Sequence, residues 1–527
     1  MRAVFFIVAI ASSALVVYFG FQHAWVWAFA PLVLLYIGTG IYDLTQTKHA
    51  LLRNYPVIGH GRYIMELVRP EIQQYFVESN IGGRPFHRND RSVVYQRSKG
   101  QIETMPFGTQ YNVYEDGYEW MNHSLDPKPH LTEEPRVVVG EGRCERPYAC
   151  SLFNISAMSY GSLSRRAVLA LNKGASEEGF AHNTGEGGVS PYHLEYGGDL
   201  IYQIGTGYFG CRAADGGFSE ERFLETVKSD SIKMIEVKLS QGAKPAHGGI
   251  LPAAKVTSEI AKIRGVEEGV AVHSPPKHKA FDNPVELLTF IGRLRRLSGR
   301  PVGIKLCIGQ PEEFVGLVRA MVECKQVPDY ISLDGSEGGT GAAPFEFSNS
   351  VGMPLRDGLA FVHNCLVGAG LRDQIKVMAS GKIISGFHMF RALALGADMC
   401  CSSRGMMFSL GCIQARRCNH NDCPVGVATN HPKLDKAIDV EDKGERVGRY
   451  HKRTVESFLE LLGAAGLDDP DKIRPHHIYR RIDERTCTRY SELYEWLEPG
   501  DLLEDNAPEE FQRMWDLAQS DRFGYDA

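Results

Sequence analysis

The sequence carries no surplus of positive charge: 58 Lys and Arg stand against 64 Asp and Glu, a formal net charge of −6. A nucleic-acid binder would show a basic face or stripe, so that class is set aside. There is no disulfide framework either. Cys144, Cys150, Cys211, Cys307, Cys324, Cys365 and Cys487 stand singly and Cys400 and Cys401 are neighbours, the pattern of small buried hydrophobes. No G-x-G-x-x-G fingerprint opens a first βα unit, which weakens an open doubly wound dinucleotide fold. Finally, no Lys or Arg lies between Arg2 and Lys48, across two long apolar runs.

Those runs, residues 3–20 and 24–42, each approach the ~20 apolar residues that span a bilayer as a helix. Tyr18, Phe19 and Phe21 at the end of the first, with Trp25 and Trp27 at the start of the second, resemble an interfacial aromatic belt. Arg2 precedes the pair and Lys48, Arg53 and Arg62 follow it, so the positive-inside rule predicts a two-pass hairpin in the inner membrane with both ends in the cytoplasm. A cleaved signal peptide and an interfacial helix are the competing readings. The small residues "ASSA" fall mid-run and a second apolar run follows, which favours the hairpin.

A chain of 527 residues can bury a large core, and its 55 glycines cluster between apolar runs, where the backbone must turn or approach a ligand closely. Residues 1–48 read as two transmembrane helices and 49–150 as a mixed juxtamembrane segment that includes the amphipathic "YIMELVRPEIQQYFVE". From residue 151 short apolar strands alternate with helical stretches: "FNISAMS", "FAHNTG", "LIYQIG", "MIEVKL", "PVGIKL", "YISLDG", "IKVMAS" and "MCCSS". Eight such units predict an α/β protein whose residues 151–430 form a (β/α)8 barrel. Residues 431–527, with "YHKRTVESFLELLGAAGL", read as a helical extension.

In a barrel, function lies in the loops after the strands' C-terminal ends. There the sequence has "NTGEGG", "KLSQGAKPAHGG", "KLCIG", "DGSEGGTGAAP", "SGK" and "SSRG". The last two follow strands seven and eight, where backbone N–H groups of Ser380, Gly381, Ser402, Ser403 and Gly405, with Arg404, suit a phosphate. Lys238 and Lys305 end apolar strand runs, so an inward side chain would reach the mouth and require an anionic partner, a flavin ring edge or a dicarboxylate. Cys412, Cys418 and Cys423 have the spacing C-x5-C-x4-C. An iron–sulfur cluster lacking one iron vertex needs three thiolates, and Pro424 resembles the Cys-Pro that closes ferredoxin ligand runs. Zinc with His420 as fourth ligand, or no metal, are the alternatives from spacing alone.

The stretches "NTGEGG", "EVKLSQGAKPAHGG", "VHSPPKH", "GIKL", "DGSEGGTGAAP", "LGAD" and above all "GCIQARRCNHNDCPVGVAT" resemble the FMN-binding barrel of the glutamate synthase large subunit, from about residue 154 to 430. The hairpin with "LLRNYPVIGHGRYIMEL" and "PFGTQYNVY" resembles that family's shorter, membrane-anchored large-subunit-like proteins. The resemblance implies FMN held by Met158, Ser159, Lys305, Gly338, Gly339, Ser380, Gly381, Lys382, Ser402, Ser403, Arg404 and Gly405. It implies a [3Fe-4S] cluster on Cys412, Cys418 and Cys423, close enough to pass electrons to the flavin. It puts 2-oxoglutarate at Lys244 and Arg264, with Lys238 beside them and Glu186 near the reacting centre. Glu186 and Lys244 are the implied catalytic residues, and the implied chemistry is reduction of 2-iminoglutarate to glutamate by a hydride from FMN N5.

Three departures qualify that transfer. The chain begins Met-Arg and an apolar run rather than the family's N-terminal glutaminase Cys, so ammonia or an amine is expected from outside. The family's "GEGGQL" is "AHGGIL" here, with His247 and Ile250 in place of an acidic residue and a substrate-contacting Gln. Its Cys-His-x-Asn is Cys418-Asn419-His420-Asn421, which alters the surroundings of any cluster. An external electron donor is expected: a ferredoxin-like protein, a reductase subunit or a membrane donor. The alternatives are a related amine oxidoreductase with another substrate, and a flavin/iron–sulfur relay without amino-acid turnover.

Overall fold

The computed structural model describes residues 1–245 and 247–524, so Ala246, inside the glycine-bearing stretch 238–249, lies outside the described residues. The chain divides into two compact units, Met1–Arg88 and Asn89–Ala527.

The first unit holds two apolar helices, Arg2–Gly20 and Ala30–Thr45, the second led in by a 3-10 turn at Ala24–Phe29. Arg2–Gly20, and Ala24–Thr45 with the 3-10 turn included, are each long and apolar enough to cross a membrane, with mean hydropathies of 2.3 and 1.7. They pack closely at Gly40, where the Phe5 ring occupies the space a Cβ would need. The sequence-predicted amphipathic segment is the helix His60–Ile72, prolonged by a π turn at Gln73–Val77.

The second unit is built on a closed barrel of eight parallel strands, in chain order. They are β1 (Phe153–Ile155), β2 (His182–Asn183), β3 (Leu200–Ile204), β4 (Ile232–Lys238), β5 (Val302–Leu306), β6 (Tyr330–Asp334), β7 (Lys376–Ser380) and β8 (Met399–Ser402). Seven fall within the apolar runs read from the sequence, β4 begins two residues before its run "MIEVKL", and β8 closes on β1 with Cys401 opposite Asn154. The helices between strands carry strong local stop and start signals. Ser164 caps Arg165–Glu178 through the Ala167 N–H, and Gly179 ends it in the left-handed conformation. Asn283 caps Pro284–Ser298 with Pro at its first position and Gly299 after its last.

Alternate strand residues point inward. Ala181, Ile201, Met234, Tyr330, Met378 and Met399 fill the lower interior, together with Val139, Tyr148 and Cys150 of an antiparallel hairpin that closes the N-terminal end. Going up β4 the inward series continues from Met234 to Glu236 and then Lys238, so the interior turns from apolar to charged towards the C-terminal mouth. Glu236 is wholly buried and accepts from Asn183 Nδ2 at 2.8 Å and Gln203 Nε2 at 2.6 Å. This gradient makes the C-terminal mouth the charged end of the barrel.

The extension is helical over Val440–Ala464, which packs along Arg165–Glu178 and completes the helical ring. Here the structure departs from an all-helical tail. Ile478–Arg481 and Cys487–Arg489 form a three-stranded antiparallel sheet with Glu119–Met121. A pairing between residues 119 and 480 leaves no local signature, which is why the periodicity of the tail did not announce it. Glu119 ties this sheet to the barrel helices. Its carboxylate meets Arg356, Arg391 Nη1 at 2.6 Å, Arg480 Nη1 at 3.4 Å and the Tyr490 hydroxyl at 2.6 Å.

Candidate active site at the barrel mouth

Lys238, the last residue of β4, reaches across the mouth to Glu186 in the loop after β2, with Nζ 3.0 Å from Oε2. Burial favours the neutral form of Glu186. Lys238, with Lys244 and Arg264 behind it, outweighs that and holds the carboxyl below its usual range. Gly205 and Gly249 lie so close to Glu186 that a Cβ on either would come within 3.0 Å of its side chain. The backbone of the loops after β3 and β4 therefore clamps this carboxylate.

Lys244 and Arg264 complete the cationic side. Lys244 is buried, donates to the Ala342 carbonyl at 3.2 Å, and is pulled down to about 8 by burial against the opposing pull of Glu186. Arg264 is also buried. Its Nη2 donates to Tyr160 O at 3.0 Å and Ser159 Oγ at 3.3 Å, its guanidinium lies 5.2 Å from the Phe209 ring centroid, and its Nε has no hydrogen-bond partner. Burial brings it down to about 10, with Glu186 opposing. Lys238 from the end of β4, Lys244 from the loop after it, Arg264 from the end of the helix Ser258–Arg264 and Glu186 from the loop after β2 thus converge on one spot.

The residues assigned to a flavin form the other side. Lys305 at the end of β5 pairs with Asp334 at the end of β6 at 3.0 Å. Burial opposes its charge, but Asp334 and then Glu236 outweigh it and raise the ammonium above its usual range. Arg404 donates to the Glu337 carbonyl at 3.2 Å, and Gly339 lies against its guanidinium with no room for a side chain. Gly338 and Gly339 belong to the loop after β6, which touches the loop after β4 backbone to backbone. A Cβ on Gly242 would collide with the Gly335 carbonyl oxygen. Ser380 and Ser402 spend their hydroxyls inside the fold, on Ser156 Oγ at 3.2 Å and Ile383 O at 2.6 Å, leaving Gly381, Lys382, Ser403 and Gly405 to offer backbone groups. Lys382 takes the left-handed φ of 53° that such a turn requires. Met158 and Ser159, in the loop after β1, pack on Gly185, and Ser159 directly supports Arg264. A buried cationic set at glycine-rich turns fits an anionic phosphate and an electron-rich ring.

The cysteine loop follows the short helix Arg404–Ser409. Cys412 is pushed up to about 12 by burial, with the Gln414 N–H on its sulfur at 3.5 Å opposing, and Cys418 and Cys423 raise it further. Cys418 is raised by burial and by Cys423, while Lys255 and Arg404 favour its thiolate. The three thiols therefore feel one another and share two buried cations, a donor set that fits a group bound through thiolates. Among the described residues no three or more His, Cys, Asp or Glu, these three cysteines included, are grouped to hold a single metal ion, and His420 is exposed.

Sequence reading missed Lys255, which carries no motif and reads as an ordinary solvated lysine. It is buried, with Nζ donating to Ser162 O at 3.1 Å and Ala428 O at 3.0 Å. It also missed His278, whose ring bridges the Lys238 carbonyl at 2.8 Å and the Tyr208 hydroxyl at 3.0 Å. Asn430 is a third, its Nδ2 tying the cysteine loop to Gly161 O at 2.9 Å and Lys255 O at 3.2 Å. A G-x-G-x-x-G run does occur at 205–210, but it follows β3 and leads into turns, with Tyr208 at φ 52° and the next helix starting at Glu220.

Residues 99–468 match the family model described as the conserved region in glutamate synthase. The chain belongs to the glutamate synthase family. It is an oxidoreductase of that family, and every candidate site residue lies inside the matched region. The glutamate synthase large subunit-like protein YerD of Bacillus subtilis (strain 168) is 41% identical over 493 residues, covering 86% of this chain and 94% of YerD. An archaeal glutamate synthase (NADPH) of Methanocaldococcus jannaschii is 35% identical over 324 residues. There the match covers 61% of this chain and 60% of that glutamate synthase. Among solved structures, a flavocytochrome b2 mutant with pyruvate bound is 13% identical with a TM-score of 0.41, over 85% of this chain and 91% of the other.

Proposed function

We propose that this member of the glutamate synthase family is a membrane-anchored enzyme that makes glutamate from 2-oxoglutarate and ammonia, using FMN, a [3Fe-4S] cluster and an external electron donor. One observation carries the substrate class: three buried cations, Lys238, Lys244 and Arg264, surround a single carboxylate, Glu186. Two positive charges remain uncompensated in a buried site, and a dicarboxylate neutralises both. The partnerless Nε of Arg264 supplies a donor for it.

The Met158–Ser159 turn, Lys305, the Gly338–Gly339 turn and the turns after β7 and β8 would hold FMN, and Cys412, Cys418 and Cys423 the cluster. Bound there, FMN would supply a hydride and the cluster would supply single electrons. Arg264 and Lys244 grip the substrate carboxylates and fix which face of its C2 carbonyl is presented. Lys238 Nζ polarises the carbonyl oxygen. Glu186, kept ionised, holds ammonium beside C2, and the free amine attacks C2 once the ammonium proton has left to water. The oxygen leaves as water with a proton returned through Lys238, and the product imine is reduced in place.

Purified protein is expected to be brown, with a flavin spectrum and the EPR signal of an oxidised three-iron cluster. Photoreduced flavin should be reoxidised anaerobically by 2-oxoglutarate plus ammonium. A colourless zinc protein would end both redox readings. Flavin that ignores every keto acid and amine tried would leave an electron relay. Reoxidation by a different keto acid would favour the altered-substrate reading, for which Ile250 is the lead. It lies in the ribbon of Ile250–Leu251 with Val272–His273, directly after Gly249, which backs on Glu186.

Two further outcomes follow from the site's charges. A lysine lowered to about 8 is ammonium below that pH and amine above it. Carboxylate binding needs the ammonium, so kcat/KM for 2-oxoglutarate should be flat below about pH 8 and fall up to tenfold per unit above it. Lys244→Arg should move that break out of range. Lys255→Met removes a cation that favours the Cys418 thiolate, and iron bound per chain should fall while FMN content stays the same. Metal analysis beside flavin absorbance reads both.

A further inference from the structure

The helix His60–Ile72 and its π turn have an apolar surface that nothing in their own unit covers. Among the described residues of Gln73–Val77 and of the helix itself, none is buried. Yet Leu67 is 74% and Phe76 85% exposed, and Ile64, Met65, Ile72 and Tyr75 are exposed too. At 100° per residue, Leu67, Ile64, Val68, Ile72 and Met65 sweep one continuous arc, interrupted by Glu71. Arg62, Glu66 and Arg69 stand on the opposite side, where Arg62 and Arg69 flank Glu66 at 3.3 and 3.9 Å. A helix that is half apolar and wholly unburied requires an apolar medium along one side only.

The position of its first turn says which medium. Asp43, in the last turn of the second apolar helix, accepts from the Val57 N–H at 2.8 Å and from His60 Nε2 at 2.9 Å, and His60 is the amphipathic helix's first residue. Tyr63 adds a contact to His49 Nδ1 at 3.3 Å. At the start of the first apolar helix, Arg2 donates to Arg53 O at 2.7 Å and Asn54 Oδ1 at 3.0 Å. The ends of both candidate spans are thus bolted to the short segment from which the amphipathic helix departs. If the spans cross a bilayer, those ends lie at its surface, and so does His60.

We propose that His60–Val77 lies in the plane of the lipid surface as an interfacial helix, with Ile64, Leu67, Ile72 and Phe76 dipped into the acyl boundary and Arg62 and Arg69 among the headgroups. The proposal rests on the membrane-anchor reading but adds a distinct element to it. Eighteen residues at about 1.5 Å each give a contact strip roughly 27 Å long. The strip fixes the direction in which the chain leaves the bilayer, where a hairpin alone would leave it free to swivel.

The test uses the full chain in phosphatidylcholine–phosphatidylglycerol vesicles. A Cys487→Ser parent removes the exposed thiol, and Leu67→Cys or Arg69→Cys is labelled with an environment-sensitive fluorophore. The label at position 67 should emit at shorter wavelength and be quenched severalfold more by brominated lipid than the label at 69. Equal, water-like emission at both positions overturns the proposal. Shielding at 67 that persists in detergent without lipid and grows with protein concentration also overturns it, in favour of a second copy of the chain. Alkaline carbonate extraction separates the two readings. Carbonate-resistant protein with no quenching at 67 removes the interfacial helix and keeps the hairpin. Extractable protein still quenched at 67 does the reverse.

Discussion

Arg264→Ala, loaded with flavin, is expected to lose 2-oxoglutarate-dependent reoxidation by a factor between roughly 30 and several thousand. The range follows from the about 2–5 kcal/mol that truncating one partner of a buried charge pair costs, at about 1.4 kcal/mol per tenfold change. Arg264 helps hold Glu186 ionised and, on the proposed reading, also grips the substrate. Its Nη2 is fixed by Tyr160 and Ser159, its face is held against Phe209, and its Nε is left over. The loss should fall mainly on KM and leave flavin content unchanged. Arg264→Lys should recover only part of it, because an ammonium cannot keep two donors on the Ser159–Tyr160 loop and still present a third. Stopped-flow reoxidation against substrate concentration reads the split. A variant with unchanged KM would remove Arg264 from the substrate.

The second large effect is at the other end of the barrel and concerns stability. Asp329 precedes β6 and is fully buried. Its Oδ2 accepts from Arg295 Nε and the Val302 N–H, both at 2.8 Å, and Arg143 sits 3.2 Å from Oδ1 without a hydrogen-bonding angle. Asp329→Ala strips the Arg295 guanidinium and the first N–H of β5 of their acceptor and Arg143 of its counter-charge. Breaking a buried pair from one side costs about 3–5 kcal/mol, and in a unit of this size the melting temperature should fall by roughly 3–5 °C. Asp329→Asn keeps an acceptor for Val302 and should lose less. Calorimetry gives the shift, and activity per folded molecule should be untouched, since this end of a barrel serves stability.

The barrel was legible in the sequence because parallel strands buried on both faces read as short, nearly unbroken apolar runs such as "PVGIK" and "YISLD". Lys238 and Lys305 were legible for the same reason, as charges abutting those runs, whereas Glu186 came only from the family resemblance of "NTGEGG". Lys255 was not, because its burial comes from the carbonyls of Ser162 and Ala428, 93 and 173 residues away. The strand pairing of Glu119 with Arg480 spans 361 residues and was equally hidden. His278 lay inside a recognised motif, but its task of holding the Lys238 carbonyl depends on Tyr208 from another loop. What the chain hid were the partners that fold topology alone brings together.

The contact between Gly242 and Gly335 carries a consequence for how such an enzyme acquires new substrates. Two loops whose main chains touch cannot be re-spaced by point mutation, because every side chain at 242 meets the 335 carbonyl. Substrate preference on such a fixed frame changes by exchange of side chains, and positions such as 247 and 250 lie outside the Gly242–Gly335 contact that sets the spacing.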